Sequence, residues 1–408
     1  MTRIFQLGIE KIADFSLQST DTNGKPARMT SIVLNTACRH FRGSRPCTFN
    51  KLDGSECATC RHTSEYRDRI LFVKLDAIGD VLRSASVLPA IMARHDSPYI
   101  AWVTRSESVD LVAMMDHVDE VIEVSEIGLA RVATGGWDQV FSLSNDVPSA
   151  AIATLAAGGR PIIGYGLSRG VLEPSNPAAR AWLAMAAFDR LKQANARSYQ
   201  SIMLDIIGHT GDFAPPALTV PPAIATSAAA RVAELFPAGR RKRVAVNVGA
   251  DRRWPKKMLD ARAIADFIAR LRSRAALDVL LVGGAAETEK SAEVLALHGE
   301  DAHVRAALTP RSIPEFVATL AAADALLCGD TLALHVASAV GLPTVAIFGP
   351  TSLPEIADFG GLIRKIATPL LSCLGCYGDC TKTENCMSLL DIDRLVDAVL
   401  AQLDRRAS

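Results

Sequence analysis

Four short stretches of the chain join a glycine turn to residues that can bind anions or move protons. In Lys74-Leu-Asp-Ala-Ile-Gly79-Asp80, Gly79 permits a sharp turn and Asp80 falls where a helix is expected to begin. A carboxylate there either caps the helix or, facing a cleft, serves as a general base. Lys74, at the end of the preceding apolar run, is either an exposed edge cation or a substrate contact. In Asn247-Val-Gly249-Ala-Asp-Arg252-Arg253-Trp254-Pro255, Gly249 turns the chain and two adjacent guanidiniums offer bidentate contact to phosphate oxygens, although Arg pairs are common on solvated surfaces. Val282-Gly-Gly-Ala-Ala-Glu287 places a carboxylate in a first helical turn, suited to ribose hydroxyls or to the helix dipole alone. Cys328-Gly-Asp330-Thr331-Leu332-Ala-Leu-His335 sets an acid, a hydroxyl and backbone amides at a strand-to-helix junction, with His335 one helical turn beyond Thr331.

Each stretch follows a short apolar run and precedes a segment with helical spacing, and this repetition defines the fold class. Ile70 to Lys74, Tyr99 to Val103, Val121 to Val124, Gln139 to Leu143 and Ile162 to Tyr165 read as strands of a first α/β unit, with a helix expected over Val81 to Arg94. A second series lies at Val244 to Val248, Val279 to Val282, Ala325 to Leu327 and Val345 to Phe348. The expected organisation is a Cys-rich extension over 1–66, a first Rossmann-like domain over 67–213, a Pro-rich linker over 214–225, a second Rossmann-like domain over 226–372, and a Cys-rich segment with a terminal helix over 373–408. Two doubly wound domains on a linker leave a cleft between them, and ligands of such sheets sit at the carboxyl ends of the strands.

Composition narrows the function classes. With 408 residues, 49% hydrophobic and 22% charged, the chain has material for two cores. Forty-four basic residues balance forty-four acidic ones, so no long-range field draws in nucleic acid or an anionic membrane, and any anion site is local. Neither a signal peptide nor a long apolar span is legible, which sets the expectation of a cytoplasmic protein with at most peripheral contact at the inner face of the inner membrane.

Together, KLDAIGDV, GADRRWP, GGAAE, Ser312 to Asp324 and GDTLALHVASAVGLPTVAIFGPT resemble glycosyltransferase family nine, the ADP-heptose:lipopolysaccharide heptosyltransferases, over roughly residues 69 to 400. The resemblance implies a GT-B architecture, an inverting reaction without a catalytic metal, and an ADP-sugar donor held by the C-terminal half. It implies Asp80 as general base, Arg252 where a phosphate-binding Lys is usual, Glu287 at the ribose, and Asp330, Thr331 and His335 at the donor sugar and diphosphate. Leu332 stands where the family usually has Gly. Met185 to Asn195 also resembles family sequence, with no role attached. The acceptor stays open between a lipopolysaccharide-core sugar, a protein hydroxyl and a small metabolite.

The cysteines fall into two groups and a single residue. Cys38, Cys47, Cys57 and Cys60 lie in a segment with little apolar material, so a structural thiolate zinc is favoured, with iron or unliganded thiols as alternatives and His40 and His62 as substitute ligands. Cys373, Cys376, Cys380 and Cys386 resemble a Cys-rich tail in part of the same family, which leaves metal and free thiols equally open. Cys328, in an apolar run, reads as a buried inert thiol. Two rival functions remain: a GT-B transferase or epimerase using another nucleotide sugar, and a metal-stapled binding protein.

Overall fold

The computed structural model describes residues 32–237, 239, 241–249, 255–378 and 380–405. Arg252 and Arg253, expected at the phosphates, lie outside the described residues.

The first sheet is built from β1 (Arg69–Val73), β2 (Tyr99–Thr104), β3 (Glu120–Glu123), β4 (Gln139–Ser142), β5 (Ile162–Ser168) and β6 (Val171–Pro174). Its order is β3-β2-β1-β4-β5-β6, parallel except for the β5/β6 hairpin. The second sheet contains β7 (Arg243–Asn247), β8 (Asp278–Val282), β9 (Val304–Ala306), β10 (Ala325–Gly329), β11 (Thr344–Ile347) and β12 (Ile363–Ile366), ordered β12-β11-β10-β7-β8-β9 and wholly parallel. Renumbered from its own first strand, the second sheet repeats the order of the first. Each sheet therefore reverses beside its first strand, between β1 and β4 and between β7 and β10, where doubly wound folds bind ligands.

The central strands are apolar along their length because helices cover both faces, and every residue of β8 and β10 is buried. Phe72 of β1 stacks on Trp102 of β2 with ring centroids 4.2 Å apart. One hydrophobic cluster runs from Phe72 and Trp102 through Tyr199 to Leu280, Leu326 and Phe348, so apolar packing continues from one domain into the other. The terminal helix Ile392–Arg405 lays Leu395, Val396, Val399 and Leu403 against the second sheet.

Three details depart from the sequence expectation. The helix expected over Val81 to Arg94 is broken into Ile78–Ser84, a 3-10 turn at Ala85–Val87 and Leu88–Met92. Pro89 cannot donate a backbone hydrogen bond and crowds the carbonyl four residues back. The short strands β6, β9 and β12 at or near the sheet edges were not expected. Leu218 bridges to Met115, and a helix Pro222–Glu234 opens on Pro222 within the Pro-rich segment.

Residues 32–66 are fastened largely by polar contacts. Cys38 bridges to Glu65, and the helix Thr48–Asp53 buries none of its residues.

Candidate functional site

A cavity of about 1160 Å³ opens between the two domains at the carboxyl ends of β1, β7 and β10. Lys74, Gly79, Asp80, Gly249, Glu287, Asp330, Thr331, Leu332 and His335 all line it. Four segments spread over some 260 residues thus converge on one space, as the topology of two facing Rossmann-like sheets requires.

On the first-domain side, Lys74 is 3% exposed, not an open edge residue. Its Nζ lies 2.7 Å from Asp76 Oδ2 and donates to the Leu143 carbonyl at 3.4 Å. Burial alone pulls the Lys74 ammonium down, but Tyr199, Asp76 and Asp80 together push it well above the ordinary lysine range. Burial likewise favours a neutral Asp76, yet Lys74 and a hydrogen bond from Ser144 hold its carboxyl below the usual value.

Asp80 is the third residue of the helix Ile78–Ser84, whose cap residue is Ala77 and which has no side-chain cap. Capping therefore does not occupy the carboxylate. Asp80 Oδ1 instead lies 2.7 Å from Arg83 Nη2, and the side chain keeps 38% exposure towards the cavity. Gly79 lets this helix approach the second domain closely: a Cβ there would lie 2.8 Å from His335 Cδ2.

On the second-domain side, Thr331 precedes the helix Leu332–Ala339 and its Oγ1 accepts from Asn247 Nδ2 at 3.0 Å. Asp330 lies between two nitrogen groups, with Lys257 Nζ at 3.8 Å and His335 Nε2 at 3.9 Å. Burial, with Arg83 adding to it, lowers His335 to about 4, so the imidazole is neutral near pH 7. Glu287 Oε2 accepts from Gly284 N at 2.7 Å, closing its own turn, and the side chain presses on Gly249, where a Cβ would come within 2.7 Å of Glu287 Cγ. Its capping contact and its place on the cavity wall coexist. The arrangement offers amides and Lys257 to an anion, a carboxylate and a hydroxyl to sugar groups, and across the gap a carboxylate able to take a proton.

Sequence reasoning missed Arg83, Tyr199, Lys257, Glu355 and Tyr377, all on the cavity wall. Arg83 had a usable signal, three residues after Asp80 on one helical face. Met185, Ala186 and Lys192, from the stretch that carried no role, also line the cavity. Lys192 Nζ stands 3.6 Å from the centroid of the Tyr377 ring.

Among the described residues no three His, Cys, Asp or Glu side chains are grouped as metal ligands. In the N-terminal group, Cys47 Sγ accepts from Asn50 N at the start of the helix Thr48–Asp53. His62 stacks on Phe49 at 4.0 Å and pairs with Asp53, and His40 packs edge-on to the same Phe49. In the C-terminal group, Cys386 is buried against Gly349, while Cys373 and Cys376 are exposed. Burial raises the Cys386 thiol, with Cys380, Cys376 and Cys373 adding to the effect. Cys328 is fully buried and its thiol is pushed far up by burial. No step of the proposed chemistry runs through a metal at these residues.

Two Rossmann-like domains that face each other across a charged cleft make up the GT-B architecture. Residues 130–385, more than half of the chain, match the model of glycosyltransferase family 9 (heptosyltransferase), and the chain belongs to that family. No curated protein matches it by sequence. Among solved structures it is similar to the ADP-heptose lipopolysaccharide heptosyltransferase II of E. coli, with TM-score 0.60 and 22% identity over 83% of this chain and all of that one. A family 9 glycosyltransferase from Veillonella parvula gives TM-score 0.67 at 15% identity, covering 83% of this chain and 98% of that one. The iron-containing dodecameric glycosyltransferase TibC of enterotoxigenic E. coli gives TM-score 0.50 at 12% identity, over 85% and 79%. At these identities the likeness is one of fold. Family membership makes the chain a transferase and sets aside the metal-stapled binding protein. Among the described residues no helix is long and apolar enough to cross a membrane.

Proposed function

We propose that the chain moves a heptose from ADP-heptose to an acceptor hydroxyl by a single inverting displacement. The observation that carries this reading is Asp80: a carboxylate free of any capping role lies at the carboxyl end of the first strand, on the cavity shared with Asp330, Thr331 and His335. The ADP-heptose lipopolysaccharide heptosyltransferase II of E. coli, similar in fold, makes ADP-heptose the substrate to test first.

In this mechanism the donor lies against the second domain. Glu287 accepts from the ribose, and the diphosphate meets the amino end of the helix Leu332–Ala339 beside Lys257, with Arg252 assigned to the same anion by its place in the sequence. Asp80 takes the proton from the acceptor hydroxyl as its oxygen bonds to the anomeric carbon. The bond from that carbon to the phosphate oxygen breaks on the opposite face, and the electron pair leaves with ADP. Lys257 and the helix amides stabilise the charge that develops on ADP. Neutral His335 can accept or donate a hydrogen bond to the sugar without adding charge. The acceptor in this reading is a glycan hydroxyl, of the lipopolysaccharide core or a related glycan, met on the cytoplasmic side with at most peripheral membrane contact.

Calorimetric titration with ADP, UDP and GDP should give ADP the tightest binding, and a preference for UDP would overturn the donor assignment. Asp80→Asn should leave ADP affinity near that of the parent protein while transfer from ADP-heptose falls by at least about a hundredfold, since an amide cannot take the proton. Transfer within a few-fold of the parent would mean that the base lies elsewhere.

A further inference from the structure

A buried charge set beside Asp80 has no part in the mechanism just described. Arg83, one turn on from Asp80, has a side chain only 15% exposed, and its Nη2 lies 2.7 Å from Asp80 Oδ1. Its guanidinium lies over the Tyr199 ring, 3.9 Å from the centroid. That ring is itself fixed: its hydroxyl shares a 2.7 Å hydrogen bond with Ser84 Oγ, and its backbone N–H donates to the Glu355 carbonyl at 2.9 Å. Glu355 belongs to the second domain and is 6% exposed, and its Oε2 stands 3.9 Å from Arg83 Nη1. Arg83 Nε is buried without a hydrogen-bond partner.

A guanidinium withdrawn from water is costly unless carboxylates compensate it, and here one comes from each domain. An ordinary pair three residues apart on an exposed helix would need neither the second carboxylate nor the aromatic platform. The planar fork also fixes direction in a way that a lysine ammonium does not. Burial raises the Glu355 carboxyl, and the nearby cations Arg83 and Lys192 oppose that rise.

We propose that Arg83 is a positioning residue for sugar transfer: its guanidinium holds one oxygen of Asp80 so that the other meets the acceptor hydroxyl, and Glu355 ties that hold to the apposition of the two domains. The assignment rests on Asp80 being the base. Glu355 acts only through Arg83, so its loss should matter only while Arg83 is present.

The test compares Arg83→Met, Arg83→Lys, Glu355→Gln and the double variant Arg83→Met/Glu355→Gln, reading ADP release from ADP-heptose, ADP affinity and thermal unfolding. Arg83→Met should lower kcat by about 10- to 100-fold, the cost of misplacing a reacting group by up to about 1 Å, while donor KM and ADP affinity move less than about threefold. Arg83→Lys, which keeps the charge and protects folding, should recover part of that loss. Glu355→Gln should lower kcat by a smaller factor, and the double variant should be no worse than Arg83→Met. Losses that multiply in the double variant, or a change confined to KM, would overturn the positioning role. Thermal unfolding needs no turnover and reads the interdomain half separately. The two substitutions should lower Tm by less together than the sum of their separate effects, and additive shifts would overturn that half. Asp80→Asn at parental turnover would remove the base reading and the positioning role with it, whatever the unfolding cycle shows.

Discussion

At the scale of single residues, the site gathers ionisable groups whose states are set by their neighbours. His335 is the clearest case. Packed against Gly79 and facing Arg83, Asp330, Asp80 and Lys257, it is lowered from an ordinary 6.5 to about 4 by burial first and Arg83 second. In the unfolded chain the same imidazole takes up a proton near its ordinary value, so between about pH 6.5 and 4 the unfolded state binds more protons. His335 therefore supports the fold fully above about pH 6.5 and withdraws that support as the pH falls towards 4. Tm measured across this window should fall more steeply for the parent than for His335→Gln, and parallel curves would mean that the imidazole is not buried as described. Much of this set was legible beforehand, because Lys74 directly follows a strand and Asp80, Glu287, Asp330 and Thr331 each follow a strand and a glycine, and such positions point into the cleft of any doubly wound sheet. Arg83, Glu355 and Tyr377 were not legible as a group, since what unites them is contact across domains between positions up to 294 residues apart. Spacing does not register that Cys47 caps a helix, that Cys386 packs into a core, or that His40 and His62 flank Phe49.

At the scale of elements, the site depends on how closely strand ends can approach the loops beside them. The central strands could be read from the sequence because burial on both faces leaves unbroken apolar runs. The short strands β6, β9 and β12 gave too little pattern, and the break at Pro89 was passed over because the apolar spacing runs through it. Gly329, the last residue of β10, is where backbone meets backbone. A Cβ there would fall 1.9 Å from the Lys257 carbonyl oxygen, a contact that no side-chain rotation can relieve. The absence of a side chain lets the short loop at Pro255–Lys257 lie against the end of β10, where Lys257 Nζ stands 3.8 Å from Asp330. Gly329→Ala must push that loop away, so it should cost about 1–3 kcal/mol by overpacking and weaken ADP binding by moving Lys257 off the anion site. Urea unfolding and ADP titration check the two effects together. An unchanged urea midpoint would show that the loop is not pinned at this point.

At the scale of the whole molecule, the two domains share apolar packing, whereas residues 32–66 are joined to the first domain by a few polar contacts, and their loss should separate accordingly. The sequence implied a segment held by something other than a core, and Arg39 supplies much of the attachment. Its Nη1 donates to both oxygens of Asp119 at 2.7 and 2.6 Å, and its Nη2 donates to the Pro98 carbonyl at 2.6 Å. Asp119 is in turn held by the backbone N–H of Ile100 at 2.9 Å, so the guanidinium is anchored through Asp119 to the start of β2. Ser97 Oγ donates to the Glu65 carbonyl, and Arg67 pairs with Asp96 at the surface. Exposed pairs of the latter kind contribute little, whereas a forked guanidinium with four acceptors, Ser97 Oγ included, is geometrically specific. Arg39→Ala should therefore release residues 32–66 locally while the sheets stay intact. Limited proteolysis within 32–66 should speed up at least about tenfold, while the urea midpoint of the main transition and ADP affinity stay close to the parental values, because local opening draws on its own small free energy and not on the global one. Unchanged cleavage would show that other contacts hold the segment. A fall in ADP affinity alongside faster cleavage would show instead that the segment supports the cleft, through the start of β2 to which Arg39 and Asp119 are tied.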